Sequence, residues 1–454
     1  MASYIWKSYK FDGDPYDIFY ILRGRKNCFF LDSGLRRDKL GRYSFIGCDP
    51  FCVLKPGKED PFTALRKILD LYRICPLENM PPFLGGAVGF FGYDLGFSLE
   101  KRLKKTVKDD VKTGDYFFGF YDTVIAIDHY AGSMSIFSCG FPETKSSLIQ
   151  ARAQERLKEV ERILLMANCV RLQKCFIKKK ASRVDISSNF SEQGYIRAIK
   201  KVKEYIKAGD IYQLNLSQRF SAETVVSAEE IYAKLRSLSP ADFSAYLDCG
   251  DFQIISSSPE RFLSLDKKVV YTRPMKGTRP RSSNKDLDRK LKSELLSSPK
   301  DMAELLMIVD LERNDLGKVC EYGSVRVDAL REIEEYKTVF QTTATVEGVL
   351  HKNKDRLDLI RACFPGGSIT GCPKIRSMEI IEELEPTRRS VYTGSMGYLS
   401  FCGNMDLNIL IRTILKKDNT LYFQAGGGIV ADSKPDEEYR ETLVKARAMF
   451  EAIK

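Results

Sequence analysis

A lysine set among arginines is the residue of this sequence whose surroundings most strongly suggest chemistry. Lys276 lies between a proline and a glycine in the segment Arg273–Arg281, which carries three arginines. Neighbouring cations and partial burial both disfavour the ammonium form, so a lysine here can lose its proton at a lower pH than a solvated one and act as a nucleophile. A solvated basic turn is the alternative, because runs of charge usually face water.

Two pairs of carboxylates have the spacing of one helical turn. Asp301 and Glu304 stand three residues apart on one predicted helix, and Glu438 and Glu441 stand three apart on another. Each helix therefore offers two carboxylates on a single face. Four oxygen donors of this kind suit Mg²⁺, which prefers an oxygen shell and is commonly held by carboxylates together with an anionic substrate. The alternative is a solvated acidic face on each helix.

Two glycine-rich segments could bring backbone amides close to an anion. Residues 366–371 lead into a helix predicted to start near Pro373, and Gly426–Gly428 follow a predicted strand and are interpreted as a turn. A P-loop is excluded, because Cys372-Pro373 stands where that motif needs lysine and serine or threonine. Each segment could equally do no more than turn the chain.

The composition describes a soluble globular protein of 454 residues, 43% apolar and 29% charged, with room for more than one domain. The 72 basic and 61 acidic residues give a net charge of +11. This charge favours anionic metabolites as partners, since no zinc-finger spacing or RNP signature indicates nucleic acid. The 12 cysteines contain no Cys-x-x-Cys pair, so neither zinc nor a disulfide framework is predicted. With no signal peptide or membrane-spanning segment evident, we expect a cytoplasmic protein without membrane contact.

The first part of the chain mixes helices and strands. Asp14-Pro15 and Asp60-Pro61 each join an N-cap residue to a proline at the first helical position, which predicts a helix from each. Strands are predicted at 28–31, 41–46, 116–127 and 133–138, the last two joined by a hairpin, and a polar helix is predicted at 146–168. The basic segment 171–183 follows, and we interpret it as a domain boundary.

Hairpins and long helices alternate beyond that boundary. A helix is predicted to end at Gly209. Strands are predicted at 211–220, 243–247, 252–256, 262–265, 269–272, 397–401, 407–415 and 421–423, and helices near 301–316, 373–384 and 436–453. This pattern predicts the α+β class. We divide the chain into an N-terminal domain, a basic linker and a C-terminal domain, at 1–170, 171–185 and 186–454.

Six motifs occur together in this order in one known family. Besides the Lys276 segment, they are Gly209–Phe220, Ser257–Phe262, Glu304–Asp315, Phe364–Lys374 and Ala425–Ser433. The sequence resembles the chorismate-utilising enzymes, which include anthranilate synthase component I, aminodeoxychorismate synthase component I, isochorismate synthase and salicylate synthase. A lysine in the Pro-Met-Lys-Gly-Thr context looks most like aminodeoxychorismate synthase component I, because anthranilate synthases typically carry alanine there.

The resemblance implies a fold and an activity. The fold would be a two-lobed α/β sandwich with mainly antiparallel sheets flanked by helices, and both halves of the chain would contribute strands. The activity would be the Mg²⁺-dependent conversion of chorismate and ammonia to 4-amino-4-deoxychorismate, on the path to para-aminobenzoate and folate, by residues 186–454. Ammonia would come from a separate glutaminase subunit in a heterodimer. The alternatives are anthranilate synthase component I and, in another class, a basic non-catalytic binding protein or regulatory subunit.

The resemblance also implies roles for individual residues. Glu304 and Glu441 would bind Mg²⁺ directly, and Asp301 and Glu438 through water. Glu260 would be the general acid for the C4 hydroxyl of chorismate. Gln213 stands where water-adding members carry a lysine base, so ammonia is the expected nucleophile. Substrate contacts would come from Tyr392, Arg412, Gly427, Gly428, Lys445, Ser368 and Thr278.

Without the resemblance, three of these residues have plainer interpretations. Glu260 could be a surface loop glutamate, Gln213 a hydrogen-bonding strand residue and Arg412 an exposed strand arginine. Gln341 departs from the family pattern, which often has histidine at this place. A carboxamide can donate and accept hydrogen bonds but cannot carry a proton charge. We therefore predict that Gln341 contributes hydrogen bonding only.

Overall fold

The computed structural model describes residues 4–35, 40–169, 184–336 and 339–454, with side chains up to residue 165 in the second range. Both aspartate-proline pairs start helices as predicted: Asp14 accepts a hydrogen bond from the backbone N–H of Tyr16, and Asp60 from that of Thr63. The α-helices of the described residues are α1 (Pro15–Leu22), α2 (Pro61–Leu71), α3 (Gly96–Leu99), α4 (Ser146–Cys169), α5 (Glu192–Ala208), α6 (Ala228–Leu238), α7 (Lys285–Ser297), α8 (Pro299–Gly317), α9 (Arg356–Cys363), α10 (Lys374–Leu384) and α11 (Pro435–Ala452).

The first of two sheets has twelve strands in the described part of the chain. Its order is β1 (Ile5–Lys10), β8 (Ser133–Ser138), β7 (Thr123–Asp128), β3 (Tyr43–Gly47), β2 (Phe29–Asp32), β11 (Phe243–Asp248), β12 (Gln253–Ser258), β21 (Thr413–Lys417), β22 (Thr420–Ile429), β10 (Gln213–Glu223) and β18 (Gly371–Cys372), and β9 (Ile186–Ser188) also pairs with β10. Strands from both sides of segment 171–183 therefore hydrogen-bond in one sheet.

The second sheet has ten strands in the same described ranges. Its order is β15 (Met275–Pro280), β17 (Val339–Val349), β14 (Val269–Arg273), β13 (Arg261–Asp266), β20 (Met405–Ile409), β19 (Ser395–Ser400), β5 (Gly86–Phe91), β6 (Tyr116–Tyr121) and β4 (Cys52–Leu54), and β16 (Arg326–Glu335) pairs with β17. The strand pairs of both sheets are antiparallel, as in β2–β11 and β5–β19. The predicted α+β class and the contribution of both halves are confirmed.

The two sheets face each other across the main apolar core. The ring of Phe45 on β3 in the first sheet lies 5.6 Å from that of Tyr398 on β19 in the second, centroid to centroid. Helices α6 and α11 cover the outer face of the first sheet, where Leu235 and Met449 are buried with Phe423 of β22. Helix α8 packs on β15 and β17 of the second sheet. No helix in the described ranges is both long and apolar enough to cross a membrane.

Two predicted strands are wrong in the same way. Residues 116–127 were expected to form one strand, but they form β6 and β7, which belong to different sheets and are separated by Asp122. Residues 407–415 likewise divide into β20 and β21, with Arg412 in the connection. In both places apolar residues continue on either side of one charged residue, so the pattern resembles a single strand.

The predicted domain boundary lies mainly outside the described residues. Residues 170–183, which hold most of the proposed linker, are among those that the structure does not describe. The division into two domains therefore stays a prediction. On either side, α4 ends the N-terminal half at Cys169 and β9 begins the C-terminal half at Ile186.

Candidate active site

A run of glycines on β22 leaves open the space in which the predicted site residues meet. Gly426–Gly428 were expected to form a turn, which is wrong: they lie within β22, and Gly428 pairs with Asn215 of β10. A Cβ atom on Gly428 would lie 2.7 Å from Nε2 of Gln213 and 3.6 Å from Nζ of Lys276. A side chain at Gly428 would therefore crowd both groups, and glycine leaves the space beside them open.

The neighbouring glycine faces the predicted metal ligands. A Cβ atom on Gly427 would lie 3.3 Å from Oε2 of Glu438, 3.6 Å from Oε1 of Glu441 and 3.7 Å from Nζ of Lys445. The two glycines thus connect two groups of residues. We call Lys276, Ser368 and Glu260 the proton end of the site, and Glu304, Glu438, Glu441 and Lys445 the carboxylate end.

The proton end is organised by one serine. Ser368 lies in a buried turn of 3₁₀ helix, Gly367–Ile369, that precedes β18. Its hydroxyl donates a hydrogen bond of 2.5 Å to Oε1 of Glu260, and its carbonyl accepts one of 3.2 Å from Nζ of Lys276. Glu260 sits between β12 and β13, as predicted, and Lys276 sits on β15. Ser368 therefore binds the candidate acid through its side chain and the candidate nucleophile through its backbone.

Burial brings both titratable groups of the proton end toward neutral pH. The pKa of Glu260 is raised to about 7, because burial disfavours the carboxylate more than the Ser368 hydrogen bond and the charges of Lys276 and Arg412 stabilise it. The pKa of Lys276 is lowered by its burial, against the opposing effect of Glu304 and Glu260. Burial therefore favours the protonated acid at Glu260 and the neutral amine at Lys276.

Gln213 presents an unpaired carboxamide to the same space. The residue is fully buried at the start of β10, and neither its Nε2 nor its Oε1 has a hydrogen-bond partner. Buried polar atoms are normally satisfied, so an orphaned carboxamide next to Lys276 and Gly428 is a marker of a ligand position. The sequence alternative, an ordinary surface glutamine on a strand, is wrong because the side chain is buried.

The carboxylate end combines acidic groups from α8 and α11. Glu438 accepts a hydrogen bond of 2.6 Å from the Ser433 hydroxyl, and Glu441 pairs with Lys445 at 2.6 Å. Burial, with the charge of Glu441, raises the pKa of Glu438. The charge of Lys445 lowers the pKa of Glu441. Burial also raises the pKa of Glu304, and the negative charges of Asp301 and Glu441 add to the effect.

These carboxylates fit the oxygen-donor chemistry of Mg²⁺. Glu438 and Glu441 direct oxygens at the space beside Gly427, and Glu304 interacts electrostatically with Glu441 from the opposite helix. In the described ranges, no three acidic, histidine or cysteine side chains are close enough together to hold a metal ion as they stand. Such a metal would therefore need the substrate or water as further ligands, which is its usual coordination.

Asp301 is placed differently from the other three carboxylates. It accepts a hydrogen bond of 2.9 Å from Nη2 of Arg279, and the two form an ion pair. Lys300, one residue before it, reaches within 3.9 Å of Glu304 and also interacts with Glu438 and Glu441. The sequence analysis missed both cations. The spacing of Lys300 and Glu304, four residues apart on a helix, was the available signal.

Of the remaining predicted substrate residues, Arg412 interacts electrostatically with Glu260 of the proton end. Arg412 has a left-handed backbone (φ 51°), and burial lowers its pKa. Its guanidinium makes no ion pair within the described residues, so it is available for an anionic ligand. A non-glycine residue in this conformation stores strain, which is common at functional sites. Tyr392 is buried beside the guanidinium of Arg389, which lies 5.8 Å from its ring centroid.

Gln341 lies next to Lys276 in the sheet. Its Nε2 donates a hydrogen bond of 3.4 Å to Oγ1 of Thr278, and its Oε1 is buried without a partner. Thr342, the following residue, pairs with Lys276 across β15 and β17. The structure thus brings Gln341 to the rim of the site, where hydrogen bonding is its available role.

Comparison with known proteins identifies the family of this chain. The model of the chorismate binding enzyme family matches residues 26–451 of this chain. The chain therefore belongs to the chorismate-binding enzymes. It is 37% identical to anthranilate synthase component 1 of Acetivibrio thermocellus, over 97% of this chain and 92% of that protein. It is 38% identical to aminodeoxychorismate synthase component 1 of Bacillus subtilis (strain 168), over 95% of this chain and 93% of that protein.

A solved structure supports the same family. The crystal structure of anthranilate synthase component I from Streptococcus pneumoniae TIGR4 is 31% identical in sequence, with a TM-score of 0.79. The match covers 91% of this chain and 93% of that chain. The resemblance stated from the motifs and the expected fold are confirmed. Overall similarity alone does not separate the two component 1 activities.

Proposed function

We propose that this protein is an aminodeoxychorismate synthase component 1, which converts chorismate and ammonia to 4-amino-4-deoxychorismate. One observation carries the proposal: the amine of Lys276 and the carboxyl of Glu260 both bind Ser368, at its carbonyl and its hydroxyl. A lysine with a lowered pKa is a nucleophile, and a glutamate with a pKa of about 7 can donate a proton near neutral pH. Anthranilate synthases, with alanine typical at this position, have no such nucleophile there.

The reaction would proceed in two substitutions. Nζ of Lys276 attacks C2 of chorismate, the ring double bonds shift toward C4, and the C4 hydroxyl leaves as water with the proton of Glu260. Ammonia then attacks C4, the double bonds shift back, and the lysine leaves C2 as a free amine. The proton released by the incoming ammonium group restores Glu260. The sum is the exchange of a hydroxyl for an amino group, with one water formed.

The other residues of the site would bind and orient the substrate. The unpaired carboxamide of Gln213 lies beside Lys276 and would hold the incoming ammonia, which needs no added base. Arg412 would bind a carboxylate of chorismate, together with Tyr392, Gly427, Gly428 and Lys445. Glu304 and Glu441 would hold Mg²⁺, with Glu438 and Asp301 acting through water. Mg²⁺ would supply the positive charge that neutralises the ring carboxylate.

Ammonia would come from a glutaminase partner. The relatives are named component 1, which supports a second component, and we propose a cytoplasmic heterodimer with a glutamine amidotransferase subunit. In that case the isolated chain would use ammonium salts but not glutamine. Glutamine-dependent activity of the isolated chain would contradict this part of the proposal.

Product analysis tests the proposal against the anthranilate synthase alternative. Purified protein is incubated with chorismate, Mg²⁺ and an ammonium salt, and the products are separated and identified by mass spectrometry. We expect 4-amino-4-deoxychorismate without release of pyruvate. Anthranilate with an equal amount of pyruvate as the main product would overturn the proposal and assign the chain to the other branch.

A further inference from the structure

A buried arginine behind the site uses every hydrogen-bond donor that it has. Arg389 is 2% exposed, and Glu385, its ionic partner, is 5% exposed. Nε and Nη2 of Arg389 donate to the two carboxylate oxygens of Glu385 at 2.9 and 2.7 Å. A guanidinium has five N–H donors in a rigid planar arrangement, so three donors remain for other acceptors.

Those three donors reach three segments of the chain. Nη2 donates to the carbonyl of Asn215 at 2.6 Å, and Nη1 donates to the carbonyl of Ile369 at 3.0 Å and to the hydroxyl of Thr393 at 3.4 Å. On the other side of the ion pair, Oε1 of Glu385 accepts from the backbone N–H and the hydroxyl of Ser217, both at 2.8 Å.

Each of these segments carries a residue of the site. Asn215 lies two residues after Gln213 on β10, Ile369 directly follows Ser368, and Thr393 directly follows Tyr392. Outside this ion pair, the backbone pairing of β18 with β10 and a hydrogen bond of 2.8 Å from the Asn215 N–H to the Thr370 carbonyl also hold the turn of Ser368 against β10. Arg389 is therefore the side chain that joins the strand, the turn and the loop.

We propose that Arg389, held by Glu385, is a positioning residue that sets Ser368 against Glu260 and Lys276 and fixes the distance of Ser368 from Gln213. The inference rests on the site of the proposed function, but it holds for any reaction of chorismate in which Glu260 and Lys276 take part. Arg389 acts only through the segments that it binds.

The choice of arginine supports a positioning role. A buried ion pair adds little net stability, because the desolvation of both charges offsets their attraction. A lysine at this position could balance the charge of Glu385, but its three donors lie at one point and cannot reach carbonyls on separate segments. Only the planar guanidinium can donate to Glu385, Asn215 and Ile369 at once and so fix the distances between these three acceptors.

The variant Arg389→Lys tests the proposal through the pH dependence of kcat/KM. The Ser368 hydrogen bond lowers the pKa of Glu260, and Lys276, Arg412 and Glu312 are the charged groups that face this carboxyl. A displaced Ser368 would lose that hydrogen bond, so the fall in kcat/KM at alkaline pH should move to higher pH. We also expect kcat/KM at pH 7 to fall roughly 10- to 100-fold, as for a lost hydrogen bond to a charged group.

Two further variants make the test specific. Ser368→Ala removes the same hydrogen bond directly, so the fall in its kcat/KM at alkaline pH, the alkaline limb, should move in the same direction. The double variant, Arg389→Lys with Ser368→Ala, should move the alkaline limb no further. Arg219→Lys is the matched control, because Arg219 is also a buried arginine, but its guanidinium pairs with Asp110 and donates to none of the acceptors that Arg389 binds. In Arg219→Lys, the fall in kcat/KM at alkaline pH should occur at the same pH as in the wild type.

If Arg389→Lys does not fold, the pair is replaced together by Arg389→Met with Glu385→Leu, since apolar residues of similar volume often preserve stability in place of a buried ion pair. A folded variant with the wild-type alkaline limb, or a limb that moves additively with Ser368→Ala, would overturn the proposal. These outcomes are read from chorismate consumption, whichever product forms. If the proposed function is wrong, the wild-type enzyme will form a product other than 4-amino-4-deoxychorismate, which is a separate observation.

Discussion

The two ends of the site differ in how the charges of their buried groups are balanced. At the proton end, burial brings Glu260 and Lys276 toward their neutral forms, with a pKa of about 7 for the glutamate and a lowered pKa for the lysine. At the carboxylate end, lysines balance the acids: Lys445 pairs with Glu441 at 2.6 Å, and its charge lowers the pKa of that glutamate. One end is thus suited to proton transfer and nucleophilic attack, and the other to holding charge.

The two ends therefore suit different functions, although the sequence motifs contain the residues of both. Burial lowers the pKa of Lys276 against the opposing charges of Glu304 and Glu260, whereas a divalent cation needs several carboxylates. The glycines of β22 lie between the two, with Gly428 facing Lys276 and Gly427 facing Glu441. The two ends of the site therefore adjoin consecutive residues of one strand.

Removing the nucleophile should have the largest effect. Lys276→Ala leaves the carboxylate end intact but takes away the amine that attacks C2, so amination should fall roughly a thousandfold or more. The half-saturating Mg²⁺ concentration of any residual activity should stay as in the wild type. Steady-state kinetics with ammonium and varied Mg²⁺ measure both. Wild-type turnover in this variant would assign Lys276 to a structural role.

Removing the acid should lower activity and raise stability at alkaline pH. For Glu260→Gln we expect kcat/KM to fall roughly 100-fold or more. Folding raises the pKa of Glu260 from 4.5 to about 7, so the folded state holds a proton that the unfolded chain has lost. Wild-type stability therefore decreases as the pH rises through this range, by up to about 3 kcal/mol from this residue.

The variant has no such titration, so its stability relative to the wild type should be greater at pH 8 than at pH 5. Urea unfolding at the two pH values measures the difference. Glu312, another buried glutamate, has a pKa that burial raises to about 8 and that the charge of Glu260 raises further, so its lower pKa in the variant changes the stability difference in the same direction. An equal stability difference at both pH values would show that Glu260 is not titrating in this range.

Neutralising a glutamate at the carboxylate end should weaken the binding of Mg²⁺ and leave the amine of Lys276 in place. Glu304→Gln and Glu441→Gln should each raise the half-saturating Mg²⁺ concentration roughly 10- to 100-fold, because each removes an anionic ligand. Glu437→Gln is the matched control on α11, since Glu437 is exposed and pairs with Lys434. The activity of each variant measured at increasing Mg²⁺ concentrations tests this prediction. Unchanged Mg²⁺ dependence in both test variants would contradict the assignment of this end.

The smallest effect is expected at the rim of the proton end. Gln341→Leu removes a long hydrogen bond to the Thr278 hydroxyl, so kcat/KM should fall by the equivalent of about 1 kcal/mol. Gln341→His should stay active, because histidine can also donate to this hydroxyl. The ratio of the two kcat/KM values is the measurement. An inactive histidine variant would show that the position has a requirement beyond hydrogen bonding.

Local chemistry explains which features the sequence predicted correctly. Capping by Asp14 and Asp60 acts within three residues, and the left-handed Gly209 ends α5 as expected. Short motifs also named Glu260, Gln213 and Lys276, which the structure brings around one space, and their roles stay a prediction.

Long-range geometry explains what the sequence did not predict. The crossings at Asp122 and Arg412 carry no local signal, because only the tertiary fold decides which sheet each strand joins. The Ser368–Glu260 hydrogen bond joins residues that are 108 positions apart. The Arg279–Asp301 pair is likewise a tertiary contact between β15 and α8, and the acidic pattern of α8 alone could not show that one of its carboxylates is already paired.

The central claim is that Lys276 forms a covalent bond to the substrate. It is tested most directly by quenching the enzyme after mixing it with chorismate and Mg²⁺ in the absence of ammonia, followed by proteolysis and mass spectrometry. We predict an adduct with the mass of chorismate less one water on the peptide that contains Lys276, absent from Lys276→Ala and discharged when ammonium is added before quenching. An adduct on another residue, or rapid amination by Lys276→Ala, would contradict the account.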